Sequence, residues 1–189
     1  PVRTTKELLA LANAKRGTLN YGTAGIGTNP HIAGELFNYL GKSNIVAVHY
    51  KGGGPSLIAA MSGEITVTFS NIAETMPYVE SKRLRGIAVT SQQRMPSLPE
   101  VGTVAEQGYP GYEDYTWIAF FAPAGTPKAI VDRLNRSVAA IVVSPDAREK
   151  LSALGFDPVN NTPEQFAAYV KVEVAKWAKV IKESGAKVD

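Results

Sequence analysis

Apolar positions along this chain change period several times, and each change marks an element. After the capping pattern Thr4-Thr5-Lys6-Glu7, in which Thr4 can accept the Glu7 amide while Glu7 reaches back, Leu8, Leu9, Leu11 and Ala12 recur at helical spacing up to Gly17. A short strand, Leu19 to Tyr21, enters the glycine-rich turn Gly22-Thr23-Ala24-Gly25-Ile26-Gly27-Thr28. Pro30 suits the first turn of a helix that carries Ile32, Leu36 and Leu40 on one face. The cycle then repeats: strand Ile45 to His49, turn Tyr50-Lys51-Gly52-Gly53-Gly54-Pro55, and a helix through Leu57, Ile58 and Met61 ending at Gly63. Glu64 to Phe69 alternates as a half-buried strand does, and a helix runs from Asn71 to about Glu80. Strand, glycine turn, helix, strand is the grammar of a parallel α/β sheet.

Further on, the pattern predicts a strand over Leu84 to Thr90, a short helix near Thr103 to Gln107, and a long aromatic-rich strand from Tyr112 to Ala122. Beyond Pro123 it turns helical. Thr126-Pro127 opens a helix with Ile130, Leu134, Val138 and Ile141 in register, and Ser144-Pro145 opens another. The capping box Thr162-Pro163-Glu164-Gln165 opens a long helix striped by Phe166, Val170, Val174, Trp177 and Ile181. The reading is therefore an α/β lobe over residues 1–122 and a mostly helical segment over 123–189.

At 189 residues, with 44% hydrophobic and 20% charged side chains, the composition is that of an ordinary globular protein, which excludes a disordered chain or a coiled coil. No apolar run approaches the ~20 residues of a membrane helix. The net charge of +3 is spread along the chain, and the one basic cluster, Lys82-Arg83-Leu84-Arg85, is too short for a phosphate track, so no nucleic-acid partner is expected. The absence of cysteine excludes disulfides, thiol catalysis and thiolate metal sites. Starting at Pro1 without a leader, the chain reads as processed or as a piece of something longer.

The two glycine-rich turns carry the candidate chemistry. Gly22 and Gly27 have the spacing of a phosphate loop, but its lysine is absent, and a dinucleotide fingerprint fails because Pro30 stands where a third glycine belongs. What remains is close backbone approach, free amides at a helix start, and the hydroxyls of Thr23 and Thr28; a plain strand-to-helix connection is the alternative. Tyr50, Lys51 and Gly52 to Gly54 offer a second set of amides beside a cation. Ser70-Asn71 ends the third strand on the same edge, so the three segments converge on one small polar or anionic molecule. His31 and Glu35 share a helix face at i and i+4, a spacing open to two metal ligands, but a hydrogen-bonded histidine beside the cleft is the expected role. Glu113 and Asp114 point to opposite faces of a strand and make a poor acid–base pair. No nucleophile elbow is present, and Trp117, Phe120 and Phe121 are expected in core or hinge packing.

Taken together, several segments resemble one family. Tyr21 to His31 with Glu35-Leu36-Phe37, the turn Tyr50 to Pro55, the strand Leu84 to Ser91, Pro99-Glu100-Val101 with Thr103 to Glu106, and Ala122-Pro123-Ala124-Gly125-Thr126-Pro127 are similar, in order, to the motifs of Bug-type receptors of tripartite tricarboxylate transporters. The resemblance implies a periplasmic-binding-protein-like α/β fold of the type II clamshell kind. Residues 1–122 would be the second ligand-binding lobe, 123–189 the crossover and C-terminal helices, with a first-lobe segment missing ahead of Val2. It implies periplasmic capture of a small organic acid for membrane permease subunits, with no enzymatic activity, cofactor or metal. The expected ligand-binding residues are Thr23, Ala24, Gly25, Gly27, Thr28, His31, Tyr50, Lys51, Gly52, Ser70 and Asn71. Ser70 departs from the family's usual Asp, which weighs against amine-bearing ligands. Self-association through exposed C-terminal helices is a further expectation. The rival readings are a sensor-type binding module and an enzyme built on the same anion cradle.

Overall fold

In the computed structural model of the chain, which describes residues 2–184, the elements follow in the order α1 (Thr5–Ala14), β1 (Asn20–Thr23), α2 (Asn29–Gly41), β2 (Val46–His49), α3 (Gly53–Ser62), β3 (Val67–Thr68), α4 (Ile72–Glu80), α5 (Lys128–Val142), α6 (Pro145–Ala153) and α7 (Pro163–Ser184). The chain divides into two compact units. One holds the described residues up to Thr116 together with the segment that starts at Lys179; the other is Trp117–Ala178.

The first unit is built on a three-stranded parallel sheet of order β2-β1-β3. Asn20 pairs with Val46 and Thr23 with His49 on one side of β1, and Tyr21 pairs with Val67 on the other. Chain order and spatial order differ, so the β2-to-β3 connection crosses over β1. Right-handed crossovers in opposite directions place their helices on opposite faces. The packing agrees: Tyr21 lies against Gly34 of α2, whereas Gly22, its neighbour on the other face, lies against Ser56 of α3.

Side chains fill both faces. Tyr21, Phe37, Phe69 and Tyr112 form an edge-to-face aromatic chain on the α2 side, with centroids 5.5 Å apart for Tyr21–Phe69 and 5.8 Å for Phe37–Phe69. Leu57 and Ile65 cover the α3 side, and each such burial is worth about 1.5–3 kcal/mol. The buried Tyr112 hydroxyl donates to the Ala33 carbonyl at 3.0 Å, which holds the 112–116 segment against α2. A satellite cluster of Val89, Leu98 and Val101 packs on Ile72, Met76 and Val79 of α4.

The α/β pattern of the first eighty residues forms as the periodicity predicts, with β2 and β3 shorter than expected and β1 running on through Gly22 and Thr23, which the pattern places in the turn. Three expectations fail. Leu84 to Thr90 forms no strand and contributes only an isolated parallel bridge, Val89 to Thr103, because the Ile87 carbonyl is taken by the Gln107 side chain. Thr103 to Gln107 is a series of turns rather than a helix, although Thr103 and Glu106 exchange both bonds of a capping box. Tyr112 to Ala122 forms no strand: the Asp114 amide bonds the Thr90 carbonyl at 3.0 Å, but no ladder is built on that bond. At α1, the Glu7 amide does bond Thr4, but the carboxylate reaches back to the Arg3 amide, not to Thr4.

The second unit is helical. Thr162 and Gln165 close the expected capping box at 2.9 and 3.2 Å, and the Ser144 hydroxyl caps α6. Thr126 caps nothing: its hydroxyl donates to the Pro123 carbonyl, and Pro127 is the N-cap of α5. Trp117 and Phe121 touch the Phe166 ring, yet Phe120 and Phe121 are 82% and 71% exposed, so neither is core. Ile130, Leu134 and Ile141 of α5 and Val174 of α7 are also exposed.

The close approach of α2 to β1 depends on Gly34. In an open helix interior, Gly→Ala stabilises by about 0.5–1 kcal/mol. Here the added methyl meets the Tyr21 ring, with Cδ2 only 2.8 Å away. Overpacking costs of about 1–3 kcal/mol therefore decide the sign. Urea unfolding of Gly34→Ala should show a net loss of stability; a gain would mean that the ring yields freely.

Candidate functional site

Because all three strands run the same way, their connections to α2, α3 and α4 leave from one edge of the sheet. In an order of this kind the switch point lies between β1 and β3, where ligands of open α/β sheets bind. The Thr23-to-Thr28 turn and Ser70-Asn71 flank that point, and the Tyr50-to-Gly52 turn stands beside them.

Backbone bonds stitch the two glycine turns together. The Tyr50 amide donates to the Thr23 carbonyl and the Gly52 amide to the Ala24 carbonyl, each at 3.1 Å. Gly25 (φ 137°), Gly27 (φ 74°) and Gly52 (φ 109°) all hold backbone angles that side chains rarely adopt. Thr23 is fully buried; its hydroxyl oxygen lies 2.9 Å from His49 Nδ1 and accepts the Gly25 amide at 3.2 Å. The Thr28 hydroxyl folds back to the Gly25 carbonyl at 2.7 Å.

The three helices that start at this edge share a feature. Their N-caps, Thr28, Gly52 and Asn71, make no side-chain bond to the helix amides. By contrast α1, α6 and α7 are capped by Thr4, Ser144 and Thr162, whereas α5, whose N-cap is Pro127, shares the lack of a side-chain cap. The first amides of any helix have no carbonyl within it to bond, and at this edge no N-cap side chain takes those of Asn29, Gly53, Gly54, Ile72 and Ala73, although the Glu74 carboxylate lies against the α3 start at Gly53. Each start also carries the positive end of a helix dipole. The arrangement suits an anion chemically.

The other expected residues divide. Lys51 is exposed beside the turn. Tyr50 turns its hydroxyl to Glu64 at 2.8 Å, so its side chain is engaged elsewhere. Ser70 Oγ is buried with no hydrogen-bond partner among the described residues. The Glu74 carboxylate lies against Gly53 at the start of α3.

His31 sits under the first turn, where its Nδ1 accepts the Gly27 amide at 3.1 Å. That bond requires a lone pair on Nδ1 and therefore places the ring proton on Nε2, which faces Glu35 at 4.0 Å. Glu35 also accepts the Tyr21 hydroxyl at 2.6 Å. Burial holds the His31 imidazole below the ordinary histidine value; the adjacent His49 adds to the shift and Glu35 opposes it. The sequence gives no reason to place His49 near His31, yet their rings stand edge to face, 4.6 Å apart. Among the described residues no group of His, Asp or Glu could hold a metal ion.

Sequence reasoning missed Asn29, Asp114 and Thr116. Thr116 Oγ1 lies 2.8 Å from Oδ1 of both Asn29 and Asn71, and Asn29 Nδ2 donates to Asp114 at 2.7 Å. Asn29 stands in the N-terminal turn of α2 and could have been found there; nothing local marks Thr116, which arrives from 45 residues beyond Asn71.

Residues 1–186 match the family described as the tripartite tricarboxylate transporter family receptor. The UPF0065 protein in the tcbD-tcbE intergenic region of Pseudomonas sp. (strain P51) is 35% identical over 96% of this chain and 54% of its own. Among solved structures, R. palustris Rpa4515 with adipate superposes with a TM-score of 0.90 at 36% identity, over 98% of this chain and 62% of its own. MatC (Rpa3494) from Rhodopseudomonas palustris with bound malate superposes at 0.80 with 28% identity, over 96% of this chain and 63% of its own. The chain spans about half the length of the curated relatives it matches.

The His31 geometry makes stability depend on pH. Its folded value lies below the unfolded value of about 6.5, so between the two the unfolded chain binds more protons. This contribution is present above the unfolded value and is lost as pH falls through the window below it. Thermal midpoints should drop as pH falls through and below about 6.5, and His31→Gln should flatten that slope. An unchanged slope in the variant would show that His31 is not the group responsible.

Proposed function

This chain belongs to the tripartite tricarboxylate transporter receptor family, and we propose that it forms the ligand-gripping part of a periplasmic receptor that binds a small carboxylate-bearing solute for membrane permease subunits. One observation carries the reading. The three helices that start at the carboxyl edge of the sheet all lack side-chain caps, while α1, α6 and α7, which start elsewhere, have them; α5, N-capped by Pro127, is uncapped too but follows no strand of the sheet. An acceptor supplied from outside is what such ends lack, and a carboxylate provides it. Adipate and malate, the ligands held by two similar structures, are both small dicarboxylates.

Each residue then has a role. Gly25, Gly27 and Gly52 shape the two turns so that a ligand can approach the backbone, and Thr23 and Ala24 anchor the first turn to the second. Thr28 and His31 hold the first turn closed, Lys51 adds positive potential, and Ser70 and Asn71 line the β3 side. Tyr50 contributes its backbone. In this reading residues 1–122 serve as the second ligand-binding lobe of the receptor and 123–189 as its crossover and C-terminal helices, although the compact units part after Thr116 and the segment that starts at Lys179 belongs with the first. No helix among the described residues is long and apolar enough to cross a membrane.

The enzyme reading has one observation in its favour, the 2.9 Å contact between Thr23 and His49, which resembles a nucleophile with its base. Thr23, however, is fully buried, and its oxygen already accepts the Gly25 amide. A hydroxyl so placed organises the turn.

Native mass spectrometry of gently purified protein should show a retained small acid, released unchanged. In calorimetric titrations with adipate, Lys51→Ala should weaken binding modestly, because each helix start contributes roughly 0.3–2 kcal/mol without it. Gly27→Val should cost more, because φ 74° excludes a branched side chain. Complete loss in a folded Lys51→Ala protein, or undiminished affinity in Gly27→Val, would overturn the backbone cradle.

A further inference from the structure

At the switch point a chain of polar side chains runs from the buried Asp114 to the exposed Thr116, and within it the hydrogen bonds are best satisfied in one direction. Thr116 Oγ1 lies 2.8 Å from Asn29 on the β1 side and 2.8 Å from Asn71 on the β3 side. Asn29 Nδ2 is 2.7 Å from the carboxylate of Asp114, which is 2% exposed, and also faces the Tyr115 carbonyl at 3.4 Å. A carboxylate and a carbonyl only accept, so both fix Nδ2 of Asn29 toward the 114–115 segment and leave its Oδ1 toward Thr116. The Thr116 hydroxyl has one proton, and Asn29 Oδ1 takes it. Only lone pairs then remain on the side of Asn71. An amide oxygen there would meet another oxygen's lone pair at 2.8 Å, whereas an amide nitrogen would complete the chain. The two ends of an amide have the same shape, so their partners decide which is which.

We propose that the relay Asp114–Asn29–Thr116–Asn71 turns Asn71 so that its Nδ2 donates to Thr116 and its Oδ1 faces the open side of the crevice, making Asn71 a selector for dicarboxylates that carry a hydroxyl beside the carboxylate. The inference rests on the receptor reading above and deepens it. The uncapped amides supply donors, which suit the carboxylate but offer nothing to a substituent that itself donates. Asn71 is the N-cap of α4 and makes no side-chain bond to that helix, so its turned oxygen supplies the missing acceptor. Asp114, Asn29 and Thr116 are positioning residues: they act through Asn71 and need not touch the ligand.

Malate and succinate differ by that hydroxyl alone, and calorimetry with both separates the alternatives. The unsubstituted protein should favour malate by roughly fivefold to tenfold, the value of one hydrogen bond. Thr116→Val keeps the shape of the side chain but ends the relay, freeing Asn71 to turn, and the malate-to-succinate ratio should fall toward one. Thr116→Ser keeps the hydroxyl and should restore the preference. A packing defect would weaken both ligands together and leave their ratio unchanged. No preference in the unsubstituted protein, or a preference that survives Thr116→Val, would overturn the relay while carboxylate binding stands. Failure to bind either acid would overturn the receptor reading and the relay with it.

Discussion

The parallel pairing of β1 with both of its neighbours is the constraint on which the site depends. A parallel strand cannot turn directly back, so each must be followed by a helix, and each helix must start at the edge where its strand ends. Three strands of two to four residues thus bring three helix starts to one place. Their amides cannot be satisfied from within the helices. Whether they are satisfied locally is then a matter of side chains. At Thr4, Ser144 and Thr162 the chain supplies a cap, whereas at all three starts on the sheet edge, Thr28, Gly52 and Asn71, and at Pro127 before α5, it does not.

That omission has a structural cost, and the surrounding contacts offset it. Gly25, Gly27 and Gly52 hold positive φ, which would leave the turns loose without cross-links. The bonds from Tyr50 and Gly52 to the first turn, the buried Thr23, and the His31 ring under Gly27 supply them. The Thr28 hydroxyl bonds back into its own turn, and only its carbonyl bonds forward into α2. The side chains here hold the loops in shape and do not cap the helix starts. Selectivity can then come from the few groups that are not amides: Lys51, Ser70, Glu74 near Gly53, and Asn71.

Much of this was legible in the sequence because it is local. The capping box at Thr162, the helix stop at Gly63, the helix start at Thr28-Asn29-Pro30, and both glycine turns are written in adjacent residues, and so is the alternation around Val67. The failures share a different cause. Leu84 to Thr90 and Tyr112 to Ala122 have the composition of strands, but a strand exists only when another lies beside it, and pairing is not local. Phe120 and Phe121 have the hydrophobicity of core residues yet stand exposed in the second unit. Asn29, Asp114 and Thr116 became a group only through the fold, since 85 residues separate the first two. Likewise, His49 came beside His31 because β2 pairs with β1, a register that spacing alone does not reveal.

The central claim is that uncapped helix starts, and not a charged side chain, hold the anion. Backbone amide resonances followed during titration with adipate test it directly. The account predicts the largest shifts at Asn29, Gly53, Gly54, Ile72 and Ala73, with the capped starts of α1, α6 and α7 unmoved. Shifts centred on those capped starts, or none at the sheet edge while adipate binds, would contradict it.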